Sequence, residues 1–332
     1  MGGMSELTVE KKERFLEIDI CRGIGILLVV LGHALKQTGE TNTAFEVLNS
    51  VIYSFHMPLF FFLSGFVAVK LLNLKGSAEK IAYIRGRAFR LLIPYFFVGL
   101  CYMPLKFVLS RYAVKAYDFS AAWQILLGEN PNTALWFLYV LFWISCICAL
   151  LLTRKNLRFF LAASFLLSLA AYWGDLPGRL LQHGFFFVLG IYVRCHYPEW
   201  KSRFEQKAVF VLGAAVFAAS NALLFAMDVP AVTLVTAVSG SLCCMYLSCL
   251  LERHPGKVGR GFLTLGNWSM DIYILSEPFN TVVKLIFWNI LKLNYVVCTL
   301  CCFLAAAFLP IPVSRFIVRK VKAFRVLILG LH

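Results

Sequence analysis

Within "LEIDICRGIGILLVVLGH" (16–33), Asp19, Arg22 and His33 stand out of an apolar run. Eleven residues at 100° each bring His33 back to within about 20° of Arg22 on a helix, about 16 Å further along the axis, so both side chains line one track. Asp19, three residues before Arg22, falls on the neighbouring part of that face, where a carboxylate holds a guanidinium by a charge-assisted bond. Imidazole is the usual group for taking a hydroxyl proton or carrying an acyl group. A second one, His56, stands in "FHMPLFFFLSGF", where Pro58 frees the Ser54 carbonyl beside it. In "RGRAFRLLIPY", Arg87 and Arg90 are three apart and Arg85 comes just before them. Guanidinium forks bind phosphate oxygens in pairs, although such a cluster also serves as a simple topology lock.

The elements that must position these residues follow from composition. Of 332 residues 60% are hydrophobic, the mean hydropathy is +0.77, and long apolar runs without strand alternation recur throughout, the pattern of an all-α polytopic membrane bundle. Ten spans are expected, at 16–36, 48–69, 89–110, 134–152, 158–173, 179–194, 208–227, 231–251, 262–282 and 294–314. With the N-terminus inside, 25 of the 32 Lys and Arg fall on inside segments, which places both termini in the cytoplasm and accounts for the net charge of +15 without a nucleic acid partner. An ionisable group within a span costs roughly 2.5–3.5 kcal/mol, so Arg22 and His33 read as a site or pathway in preference to snorkelling or satisfied core residues. On that depth scale His33 and His56 lie in the outer half and are expected to converge.

The polar connections are short, the longest near 110–133 and 195–207, so the chain reads as one membrane domain over 1–332 with tails at 1–15 and 315–332. The first span carries internal charge and no small-residue cleavage site, and is expected to be a retained helix. The 11 cysteines sit mostly inside spans without histidine or carboxylate at ligand spacing and read as small buried residues, with no metal site expected.

Arg22, ten residues, then His33, preceded by Asp19 and followed by "FHMPLFFFLSGF" and by Arg87-x-x-Arg90 before "LLIPY", resembles the acyltransferase 3 family of integral membrane acyltransferases. "LWFLYVL" (135–141), "FFFVLGIYV" (185–193) and "LGNWSMDIYIL" (265–275) follow in the order of similar family stretches, so the resemblance covers most of the chain. It implies transfer of an acetyl or similar short acyl group from cytoplasmic acyl-CoA to a hydroxyl of a carbohydrate, a lipid-linked sugar or a related acceptor at the bacterial cytoplasmic membrane. Arg22 and His33 are then the catalytic pair, His56 a second functional histidine, and Arg87 and Arg90 donor-side residues, with Arg85 added to hold the phosphates of the donor. His33 is expected to bond towards Arg22 and Asp19, directly or through the donor's pantetheine arm.

Where many members carry a histidine after the late "IYLL", this chain reads "YILSEPF", so Glu277 is expected as a substituting polar contact or a determinant of acceptor choice. Asp271 joins it as a candidate substrate residue. Trp136 suits either a sugar platform or an aromatic-belt anchor. No counterpart of the extracytoplasmic esterase-like domain that some relatives append is expected, and an oligomer or an envelope-biosynthesis partner is left open. The rival reading is a transporter or flippase for a glycolipid or small anion; against it, no matched pair of interrupted helices is evident in the two halves.

Overall fold

In hydrocarbon a backbone must satisfy its own polar groups, and an apolar chain without alternation does so as helix. The computed structural model describes residues 14–35, 42–108, 119–170, 175–227, 229–254 and 256–331, and every regular element among them is helical. In chain order they are α1 (Leu16–Leu35), α2 (Thr43–Tyr53), α3 (His56–Val67), α4 (Ser77–Val108), α5 (Trp136–Leu151), α6 (Leu157–Leu169), α7 (Leu176–Cys195), α8 (Tyr197–Phe204), α9 (Lys207–Ala226), α10 (Pro230–Arg253), α11 (Lys257–Asn267), α12 (Ser269–Lys284), α13 (Tyr295–Phe308), α14 (Pro310–Val313) and α15 (Lys322–Leu329).

The protein is an all-α membrane helix bundle. Seven helical stretches are long and apolar enough to cross a bilayer: Leu16–Leu35, Thr43–Asn73, Ser77–Val108, Thr133–Leu151, Lys207–Ala226, Pro230–Arg253 and Tyr295–Val318. The other three expected spans are helical as well, but α6 has 13 residues, α7 carries Arg179, Gln182 and His183, and the ninth is divided between α11 and α12.

Several expectations are corrected. The second span is interrupted: Phe55 leaves helical geometry at φ −142°, ψ −21°, so α2 ends and His56 opens α3, because the ring of Pro58 excludes the carbonyl four residues before it. Trp268, at φ −98°, ψ 4°, separates α11 from α12. An interrupted helix therefore exists in each half of the sequence, where the sequence alone shows no matched pair. Helix α4 begins well before 89, which puts Arg85, Arg87 and Arg90 within it. The segment 315–332, expected as a tail, is folded as far as 331. Its helix α15 closes on a left-handed Gly330 (φ 58°) packed against the backbone of Phe89 and Arg90. The expected N-terminal tail up to residue 13 and the 109–118 part of the connection after α4 lie outside the described residues.

Two helix crossings are set by glycine. A Cβ on Gly23 would overlap the Phe262 carbonyl, and one on Gly266 the Asp19 carbonyl, so α1 and α11 meet main chain to main chain. Gly65 and Gly190 do the same for α3 and α7 against Phe187 and Phe62. With no hydrophobic force between helices in lipid, small residues that allow close van der Waals approach are what hold them. After α4 the chain turns back into the bundle, and side chains meet its backbone groups. The Tyr95 hydroxyl donates to Ile125 O at 2.9 Å, Tyr139 to Leu126 O at 2.7 Å, and Asn130 Nδ2 to Tyr95 O at 2.9 Å. This buried return brings 128–135 against α3, α5 and α7.

Candidate active site

Helices α1, α3, α5 and α12 all contribute walls to two adjoining cavities, of about 350 Å³ and 370 Å³. The first carries Asp19, Arg22, Arg87, Arg90, Asp271 and Arg319. The second carries His33, Tyr53, His56, Glu129, Arg179 and His183. Helix α1 thus presents Arg22 to one and His33 to the other, the single track that their spacing predicts.

In the arginine cavity Arg22 Nη1 lies 3.0 Å from Asp19 Oδ1, and Asp19 Oδ2 also accepts from Arg14 Nε at 3.0 Å. Asp271 is buried, and Arg319 holds it through both oxygens, Nε to Oδ1 at 3.0 Å and Nη2 to Oδ2 at 2.9 Å, while Ser314 donates to it too. The Arg319 guanidinium lies 4.5 Å over the Trp268 ring. Arg90 donates to the Leu329 carbonyl. Arg87 Nη2 reaches Ser145 Oγ at 3.2 Å, and its buried Nε has no partner. Four guanidiniums therefore face two carboxylates, and among the described residues no carboxylate contacts Arg87 or Arg90. A cavity with this excess of fixed positive charge is built to take an anion that presents several oxygens. Arg85 is exposed and lines neither cavity; two residues before Arg87 on a continuous helix, it points about 200° away.

In the histidine cavity His33 Nδ1 lies 3.6 Å from Glu277 Oε2. Of the two expected arrangements, a direct bond from His33 to Arg22 and Asp19 gives way to this carboxylate from α12. Neighbouring side chains bond to carbonyls in the last described turn of α1. Asn49 Nδ2 donates to Gly32 O at 2.8 Å, Lys284 Nζ to His33 O at 3.0 Å, and the Tyr295 hydroxyl to Leu35 O at 2.6 Å. A lysine at a helix C-terminus also opposes the macrodipole. The backbone under His33 is therefore fixed from two sides.

His56 is buried, and its Nδ1 is 2.8 Å from the Ile52 carbonyl, which the break between α2 and α3 exposes. A carbonyl can only accept, so Nδ1 carries the proton and Nε2 is the basic nitrogen. His33 and His56 share the cavity, with the Tyr53 ring between them at centroid distances of 6.3 Å and 4.8 Å. They converge on one space.

His183 was not among the residues singled out by sequence. It is buried, stacks on Phe61 at 4.5 Å and 7°, and its Nδ1 has no hydrogen-bond partner. Trp136 lines the same cavity, with His183 at 5.3 Å on its ring and the Arg179 guanidinium also at 5.3 Å. Its ring therefore meets both an imidazole and a guanidinium. Asp271, expected as a substrate contact, sits in the arginine cavity with both oxygens engaged by Arg319. Arg179 and His183 were legible as polar residues four apart in an apolar segment, the argument applied to Arg22 and His33. Arg319 lies where a tail was expected, and Glu129 on an irregular return without periodicity.

The arrangement offers one cavity suited to a polyanion and one with a carboxylate beside an imidazole, suited to moving a proton. The family model described as an acyltransferase domain matches residues 15–316. Nodulation protein NolL of Sinorhizobium fredii is 39% identical over 90 residues, covering 25% of this chain and 23% of that protein, so the chain matches less than a quarter of that relative's length. No solved structure matches.

Proposed function

This chain belongs to the acyltransferase 3 family of integral membrane acyltransferases, and from that premise we propose that it moves a short acyl group, acetyl or similar, from cytoplasmic acyl-CoA to a hydroxyl of a cell-envelope carbohydrate or lipid-linked sugar. One observation carries this reading: a cavity with excess arginine charge adjoins a cavity lined by His33, whose Nδ1 faces the Glu277 carboxylate at 3.6 Å, and α1 lines both. The basic residues concentrate on the segments expected inside, which supports a cytoplasmic arginine cavity and a setting in the bacterial cytoplasmic membrane.

The donor's phosphates bind Arg87 and Arg90, with Arg22 and Arg319 beside them, and its pantetheine arm runs along α1 towards His33. Glu277 faces His33 Nδ1 and orients the ring, which leaves Nε2 for the substrate. As base, Nε2 takes the acceptor hydroxyl proton while the acceptor oxygen attacks the thioester carbonyl. The C–S bond breaks, the imidazolium returns the proton to the departing thiolate, and the products are an acyl ester and free CoA. As relay, Nε2 attacks the thioester carbonyl, the C–S bond breaks and CoA leaves as thiolate; the acceptor oxygen then displaces the imidazole, and the hydroxyl proton it loses ends on that thiolate, giving the same ester and free CoA. A trapped acyl adduct on His33 separates the two.

Two interrupted helices and two stacked polar cavities also suit a permeation route. Donor consumption decides between them. Membranes containing the protein are supplied with labelled acetyl-CoA, and the expected result is release of CoA with label appearing in an O-ester. Movement of solute with no acetyl-CoA consumed would overturn the transferase reading.

A further inference from the structure

Among the described residues the two cavities have two lining residues in common, Met57 and Tyr273. Both are buried, Met57 at 9% and Tyr273 at 7% exposure, so this pair forms the wall between the spaces. The two halves of the wall are held differently. The Tyr273 hydroxyl donates to the Ala134 carbonyl, and its ring meets Phe137 edge-on at 5.7 Å. Met57 has no polar anchor. It is an unbranched thioether with three rotatable bonds, in the first turn of α3, two residues after the Phe55 break. When the wall opens, Met57 is the part that moves, and Tyr273 is the surface it moves against.

We propose that Met57 is the acyl-selecting gate of the enzyme. It opens a passage narrow enough for an unbranched acyl group attached to its carrier and too narrow for one branched next to the carbonyl. This rests on the reading that the donor occupies the arginine cavity and reacts at His33, since only then must the thioester cross the wall. A passage selects by cross-section, whereas the closed end of a pocket selects by length. The two forms of selection are separable with isomeric donors.

The experiment compares acetyl-CoA, butyryl-CoA and isobutyryl-CoA, read as CoA released by membranes containing the protein less that released with His33→Ala. Binding of labelled CoA is measured alongside by equilibrium dialysis. One methyl group against a rigid wall is expected to change kcat/KM by at least about tenfold. In Met57→Ala the ratio of isobutyryl-CoA to acetyl-CoA use should rise by about that factor, with CoA affinity within about twofold of wild type. Met57→Val removes less packing, should move the ratio in the same direction, and serves if the alanine variant does not accumulate. An unchanged ratio in a variant that binds CoA overturns the gate. An equal rise for butyryl-CoA and isobutyryl-CoA also overturns it, in favour of a limit on length. If wild type releases no CoA from acetyl-CoA above the His33→Ala background, it is the transferase reading that fails.

Discussion

The arginine cavity and the histidine cavity share walls but are built on different physics. In the first, charge is abundant and partly neutralised, Arg22 by Asp19 and Arg319 by Asp271, with Arg87 and Arg90 left in surplus. In the second, the polar groups are mainly imidazoles and amides, and order comes from side chains that cap the end of α1. Surplus charge gives affinity for an anion at long range and tolerates small errors of position. A proton transfer needs atoms within hydrogen-bond reach and therefore a fixed backbone. The comparison teaches that the two cavities should fail differently when damaged: one in donor binding, the other in turnover.

The largest expected effect is at His33. His33→Ala should lower kcat by roughly 100-fold to 10,000-fold, the scale of losing general base catalysis, while CoA binding stays near wild type. The protein should remain folded, because the caps from Lys284 and Asn280 reach the backbone carbonyl of residue 33, which alanine keeps. Glu277→Gln should also lower kcat, by roughly ten- to one-hundred-fold, because a carboxylate 3.6 Å from Nδ1 stabilises the imidazolium formed in turnover by about 1.5–3 kcal/mol. If either substitution raises the donor Kd as much as it lowers kcat, the division between the cavities is wrong.

That division was partly legible in the sequence. Regular helical geometry fixes angular relations over short distances, so the pairing of Asp19 with Arg22 and the common track of Arg22 and His33 followed from spacing alone. What spacing does not contain is which helix stands opposite. The carboxylate beside His33 comes from residue 277, and the cap on its carbonyl from residue 284, both more than 240 positions away. Breaks were partly legible as well. Pro58 announced trouble four residues earlier, whereas nothing in Trp268 itself marks the end of α11. The segment after 314 was misjudged because a basic stretch at a chain end reads as a solvated tail. Here Arg319 is drawn in by buried Asp271, and the helix after it packs along α4.

Effects of middle size are expected in the arginine cavity. Arg87→Ala and Arg90→Ala should each weaken CoA binding by roughly 1–3 kcal/mol, the scale of losing a charge-assisted bond, with kcat at saturating donor little changed. Attraction between phosphates and guanidiniums is screened by salt. Raising ionic strength should therefore weaken binding more in wild type than in the double variant, in the same dialysis titration. Donor affinity equal in all four proteins would return these arginines to the role of topology lock, and would leave the surplus charge without a ligand.

The smallest effect sharpens the comparison most, because it falls inside the same short sequence. Arg85, Arg87 and Arg90 are equivalent by composition, and a mouth lined by three arginines would weaken at any of them. The structure separates them by helix geometry: Arg87 and Arg90 face the cavity, and Arg85 is exposed on a helix that continues unbroken through all three. Exposed substitutions away from special features usually fall within about 0.5 kcal/mol. Arg85→Ala should accordingly change CoA affinity by no more than about twofold, and its residual effect should vanish at moderate salt, as a distant charge requires. A loss at Arg85 as large as at Arg87, persisting in salt, would mean that the donor binds across the outer surface of α4, and the arginine cavity would then lose its claim to the phosphates.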